Sequence, residues 1–182
     1  MKKGFVRSGF RGRIQVYTGD GKGKTTAAFG LALRAAGNRM GVFIGQFLKK
    51  RPSGEIRAAA KLRPFIVVRK FGREGLIFGP DGVTEDDILR GRKGLQTCLR
   101  AMLSGRYQLI ILDEIHTALH FRILTEAEVH EFLDRRPDGV EIVLTGRCAP
   151  SSIIDRADLV TEMKSLKHYY DAGVPARRGI ES

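Results

Sequence analysis

The chain has 182 residues, with 32 Lys plus Arg against 20 Asp plus Glu, a net charge of +12, two cysteines and no tryptophan. That length fits one domain, 1–182, able to bury a core without disulfide or metal staples. Cys98 and Cys148 stand far apart with no C-x-x-C spacing, which argues against a disulfide framework or a zinc site. No apolar run reaches the roughly 18 residues that span a bilayer, and the basic N-terminus carries no signal-type apolar stretch. A soluble, cytoplasmic protein without a membrane partner is expected. The basic residues are scattered, so the charge reads as a solvated surface and nucleic acid is not the expected partner.

The first element is the most informative. Ile14-Gln-Val-Tyr-Thr reads as a short strand, Gly19-Asp-Gly-Lys-Gly23 as a glycine-rich turn, and Lys24-Thr-Thr26 opens a helix continued by Ala27, Ala28, Leu31, Leu33 and Ala35. Glycines let the turn bring backbone N–H groups close to an anion, and the helix aims the positive end of its dipole at the same place. Lys24 adds a full charge, and Thr25 places a hydroxyl where a Mg²⁺ ion bridging phosphates would sit. Gly19, Asp20, Gly21, Lys22, Gly23, Lys24, Thr25 and Thr26 are therefore candidate nucleotide-binding residues. The pattern G-x-x-x-x-G-K-[ST] asks for glycine where Thr18 stands, which points to a loop holding phosphates in its own way.

Gly41 to Leu48 reads as the second strand, Gly54 to Leu62 as a short helix and Phe65 to Arg69 as the third strand. A glycine-flanked segment, Phe71 to Phe78, is too long for a simple turn; it reads either as a binding loop or as satellite core packing. Thr84, followed by Glu85, Asp86 and Asp87, starts a helix with Ile88, Leu95, Leu99 and Met102 at core spacing. Tyr107 to Leu112 is an apolar strand ending in Asp113 and Glu114. A strand apolar throughout suits the middle of a parallel sheet, and carboxylates at its C-terminal end fall at the ligand crevice. One of the two would hold Mg²⁺, the other serving as its supporting partner or as a base.

His116 and His120 share a helical face, but no third ligand has a recognisable spacing and both read as structural. Thr125-Glu-Ala-Glu128 is a capping box opening a helix with Val129, Phe132 and Leu133 inward. Val140 to Leu144 and Asp158 to Glu162 are the last strands. Arg147, just after Val140 to Leu144, either reaches the crevice or is simply solvated. The alternation predicts an α/β fold: a three-layer, mostly parallel sheet of the RecA-like P-loop type.

Several blocks, in order along nearly the whole chain, carry a resemblance. They are Tyr17 to Gly37, Gly45-Gln-Phe-Leu-Lys49, Leu112-Asp-Glu114, Leu144-Thr-Gly-Arg147, and the tail Lys167-His-Tyr-Tyr-Asp-Ala-Gly173 with Arg178-Gly-Ile-Glu181. They are similar to the ATP:cob(I)alamin (corrinoid) adenosyltransferases of the phosphate-loop type, and the tail is the specific part. The resemblance implies transfer of the 5′-deoxyadenosyl group of ATP to the cobalt of a reduced corrinoid, with release of triphosphate. It implies that Lys24, Thr25 and Glu114 serve catalysis, and that Mg²⁺ is held by Thr25 and Glu114 with Asp113 beside them. It also implies a homodimer and a flavoprotein as reductant. Many relatives carry Phe-Thr-Trp before the long helix; here the loop reads Gly75-Leu-Ile-Phe-Gly79, which makes Phe78 the candidate corrinoid contact. The rival reading is a nucleic-acid-stimulated RecA-type ATPase.

Overall fold

The computed structural model describes residues 10–48, 53–73 and 82–181. Six strands form one sheet: β1 (Ile14–Thr18), β2 (Val42–Gln46), β3 (Ile66–Lys70), β4 (Leu109–Asp113), β5 (Glu141–Thr145) and β6 (Leu159–Glu162). The order across the sheet is β3-β2-β4-β5-β1-β6, and every pairing is parallel. The helices are α1 (Lys24–Gly37), α2 (Gly54–Lys61), α3 (Glu85–Leu103), α4 (Ile115–His120), α5 (Glu126–Asp134) and α6 (Ser151–Ile154). Strand and helix bounds match the periodicity to within a residue or two, and the one-turn α6 is an element the pattern did not announce.

The sheet is covered on both faces, which is why its central strands are apolar without alternation. Leu109 and Ile111 of β4 join Val42, Ile44 and Val143 beneath the alanines of α1: Ala28, Ala32, Ala35 and Ala36. Small side chains there let α1 lie close on the sheet. Ile110 and Leu112 face the opposite layer, with Leu95, Cys98 and Met102 of α3 and Phe132 of α5. Thr125 caps α5 with the capping box its sequence predicts, and at Thr84, read as a helix start with acids in its first turn, Asp87 completes a capping box on α3 as well. The edge strand β6 is exposed at every position, in contrast to the wholly buried β2 and β4.

Period two also decides where the strand-end polar residues point. Asp113 shares the α1 face with Leu109 and Ile111, Gln46 shares it with Val42 and Ile44, and Thr145 shares it with Val143. Gln46 pairs in register with Asp113, and Leu112 with Leu144, so Gln46, Asp113 and Thr145 form one polar row at the C-terminal edge. The first turn of α1 lies over that row.

Candidate active site

The loop after β1 is built tightly. Gly23 has φ 120° and precedes α1, whose N-terminus has no side-chain cap and no acid in its first turn. An uncapped helix start without a carboxylate keeps its N–H groups and dipole for an external anion. Gly19 sits at φ 91°. A Cβ on Gly19 would fall 2.5 Å from the Met163 carbonyl oxygen, and one on Gly21 2.6 Å from the same atom. Glycine is required there because the chain leaving β6 presses on the loop. The same contact spends one loop donor: the Gly21 N–H bonds Met163 O at 2.7 Å.

Thr18, the departure from the usual pattern, has a local cause. Its hydroxyl accepts from the Ala149 N–H at 3.2 Å, and its carbonyl accepts from Met163 N at 2.9 Å. A glycine could make the second bond but not the first, which ties the loop's entry to the turn after β5.

Lys24 is buried, and its ammonium donates to the carbonyls of Gly19 and Gly21, the latter at 2.8 Å. It pins the loop from inside. Lys22 points elsewhere: its ammonium donates to Tyr169 Oη at 3.0 Å, Glu181 Oε1 at 3.1 Å and the Ile180 carbonyl at 3.3 Å. The two loop lysines, grouped together by sequence, thus have different surroundings. Asp20 on the loop and Thr26 in the first turn of α1 are exposed.

Thr25 Oγ1 donates to Asp113 Oδ1 at 2.8 Å. Asp113 is fully buried and also accepts from Thr145 Oγ1 at 2.8 Å and from Gln46 Nε2 at 2.9 Å. Sequence reasoning missed Gln46 and Thr145; the available signal was a polar residue closing an otherwise apolar parallel strand, the signal used for Asp113. Glu114 adopts the left-handed conformation at φ 65° and starts α4. Its N–H donates to Thr145 Oγ1 at 3.0 Å, and its Oε2 accepts from Thr117 Oγ1 at 2.7 Å. The carboxylate that meets Thr25 directly is therefore that of Asp113, with Glu114 turned toward the start of α4. Hydroxyl and carboxylate oxygens at one strand edge are the hard donors that Mg²⁺ takes.

Gly146, at φ 138°, lets the turn after β5 pass over α4: a Cβ there would lie 2.9 Å from His116 Cβ. Arg147 follows and is exposed. His116 is buried under that turn and His120 is exposed, so the two histidines do not share an environment. No cluster of three or more metal-binding side chains occurs among the described residues.

Phe71 packs as core. Its ring lies 5.6 Å from that of Phe47, and a Cβ on Gly94 would fall 2.6 Å from it. Arg73 ties the two ends of the following segment, donating to the Gly82 carbonyl at 2.9 Å and pairing with Asp87 at 3.0 Å. Phe78, the candidate corrinoid contact, lies outside the described residues.

A parallel sheet with β5 inserted between the loop-bearing β1 and the Asp113-bearing β4, and a glycine loop running into a helix, defines a RecA-like phosphate-loop nucleotide-binding protein. Residues 10–182 match the family described as "ATP:corrinoid adenosyltransferase BtuR/CobO/CobP". The chain is 36% identical over 172 residues to a corrinoid adenosyltransferase of Escherichia coli (strain K12), covering 94% of this chain and 86% of that protein. It is equally similar, with the same coverage, to the corrinoid adenosyltransferase CobA of Salmonella typhimurium. To a corrinoid adenosyltransferase of Pseudomonas aeruginosa it is 33% identical over 171 residues, covering 94% of this chain and 84% of the other. The chain belongs to the ATP:corrinoid adenosyltransferase family. It is accordingly a transferase with ATP and a corrinoid as substrates. Among the described residues no helix is long and apolar enough to cross a membrane.

Proposed function

We propose that the loop from Gly19 to Thr26 binds the triphosphate of ATP, and that one domain over 1–182 moves the 5′-deoxyadenosyl group to cobalt(I) of a reduced corrinoid. The electron pair of cobalt forms the Co–C5′ bond while the C5′–O bond breaks, and the whole triphosphate leaves. Because cobalt is the nucleophile, the chain needs no activated serine or base. Its work is alignment and charge stabilisation at the leaving group. The observation that carries this reading is the uncapped start of α1 facing a loop pinned by Lys24, with Thr25 held by Asp113.

In this reading the Lys24 ammonium exchanges the Gly19 and Gly21 carbonyls for phosphate oxygens when ATP binds, the α1 N–H groups face the same polyphosphate, and Arg147 adds charge from the turn after β5. Mg²⁺, held by Thr25 with the Asp113–Glu114 pair, would supply further neutralisation of the phosphate oxygens. Asp113 orients the Thr25 hydroxyl, and Thr145 and Gln46 fix Asp113 in turn. The cytoplasm is the proposed setting, with a homodimer as the working form, a flavoprotein as reductant and Phe78 as the corrinoid contact.

The test is product identity. Incubation with ATP, Mg²⁺ and chemically reduced cobalamin should give a cobalt–carbon product in the visible spectrum. Anion-exchange chromatography should find triphosphate formed one-for-one with it. Corrinoid-independent ADP as the dominant product would instead establish the ATPase reading.

A further inference from the structure

The C-terminal segment returns to the phosphate loop. Among hydrogen bonds between described residues, those tying 165–181 to the rest of the chain all end on the Lys22 ammonium. An ammonium has three hydrogens, and here three tail acceptors surround it: a phenol, a carbonyl and a carboxylate. A phosphate oxygen could accept a hydrogen bond from Lys22 only by replacing one of them.

The tail does not need Lys22 to keep its shape. Glu181 also accepts from the Arg177 N–H at 2.6 Å, from Arg177 Nη2 at 3.1 Å and from the Tyr169 hydroxyl. The Arg177 guanidinium lies 4.7 Å from the Tyr169 ring centre. Arg177, then Tyr169, hold the Glu181 carboxyl below the usual carboxylate range. Glu181 is thus a fixed negative charge placed against one of the loop's two cations.

We propose that Glu181 is a positioning residue that draws Lys22 away from bound polyphosphate and so speeds release of the departing triphosphate. This rests on the reading that the loop holds that triphosphate. In ATP one terminal oxygen of the triphosphate is esterified to C5′, whereas free triphosphate carries that oxygen as a further negative charge. Cancelling one cation near the loop therefore weakens the product more than the substrate, which favours turnover.

Direct binding of tripolyphosphate with Mg²⁺, followed by titration calorimetry on the full chain without corrinoid, tests this. Glu181→Gln should bind triphosphate about tenfold more tightly than wild type, with a smaller gain for ATP. Lys22→Ala should bind more weakly, and the double variant should behave as Lys22→Ala, because Glu181 acts through Lys22. Tyr169→Phe, which removes one Lys22 acceptor and keeps the charge, should give a smaller tightening. Unchanged or weaker triphosphate binding by a folded Glu181→Gln variant overturns the inference, and so does a gain that persists without Lys22. Wild-type chain that binds no triphosphate would overturn the site reading itself. Binding by wild type with no response to Glu181→Gln overturns this inference alone.

Discussion

The Thr25 hydroxyl donates to Asp113 Oδ1 at 2.8 Å although β1 and β4 are not neighbours in the sheet. The strand between them, β5, contributes Thr145, which donates to the same oxygen at 2.8 Å. One buried carboxylate thus fixes two hydroxyls contributed by two separate elements. A hydroxyl donating to a carboxylate keeps its lone pairs aimed away from it; at Thr145 one of them accepts from the Glu114 N–H.

Asp113→Asn should separate that role from folding. An asparagine amide facing Gln46 sets donor against donor, but Gln46 can turn its amide, since its Oε1 is buried without a hydrogen-bond partner among the described residues. The cost to stability should be about 1–2 kcal/mol, read as a fall of a few degrees in Tm. Adenosyl transfer should fall about a hundredfold or more, since a charge held at the site is lost. A folded Asp113→Asn variant with a normal rate would remove Asp113 from the site.

Lys24→Ala should cost both activity and some stability. A lysine is ordinarily solvated, but the Lys24 ammonium is buried against two loop carbonyls. Loss of that tie should lower stability by about 1 kcal/mol. Transfer should drop by orders of magnitude, for one lost charge contact to the leaving group is worth about 2.7–4 kcal/mol. Calorimetry and initial rates on one preparation check both halves. Full activity would show that Lys24 only braces the loop.

Much of this architecture was legible because its signals are local. Strand periodicity, the helix starts at Thr84 and Thr125 and the glycine-lysine loop each follow from a few adjacent residues. The apolar run ending at Asp113 announced a central parallel strand, and it is one. What escaped depended on pairing across the sheet. Gln46 and Thr145 meet Asp113 only through register, and sequence spacing carries no register between distant strands. Met163 escaped for the same reason: that Gly19 and Gly21 are dictated by a chain segment beyond β6 needs the fold. The tail lacked periodicity and resembled the family by residue identity alone, and its contact with Lys22 joins residues 147 and 159 positions apart.

Gly21→Ala should abolish nucleotide binding without altering any charge. The added Cβ would fall 2.6 Å from Met163 O and 2.8 Å from the Lys164 carbonyl carbon, both backbone atoms that cannot swing aside. The loop must move, taking the Gly21 N–H off Met163. Gly30→Ala is the matched control: it lies within α1 with nothing within 4 Å of its new Cβ. That change should raise stability by about 0.5–1 kcal/mol and leave ATP binding intact. Equal loss of binding in both variants would show that the contact with Met163 is not what shapes the loop.

His116 should make stability fall as the solution turns acidic. It is fully buried at the start of α4, and neither ring nitrogen has a hydrogen-bond partner among the described residues. Burial pushes its pKa down to about 4, against a partial upward pull from the Leu144 backbone. The unfolded chain, with an ordinary histidine pKa near 6.5, takes up a proton that the folded chain refuses across that window. Stability contributed by the neutral ring is present above pH 6.5 and is lost as pH falls toward 4, by about 1.4 kcal/mol per pH unit. By pH 5 the loss should be about 2 kcal/mol. His116→Leu keeps the site apolar and removes the titrating group. Urea denaturation at pH 7 and pH 5 should therefore show a larger drop for wild type than for the variant, with other titrating groups cancelling in the comparison. Parallel drops would mean that His116 is not the group that takes up the proton.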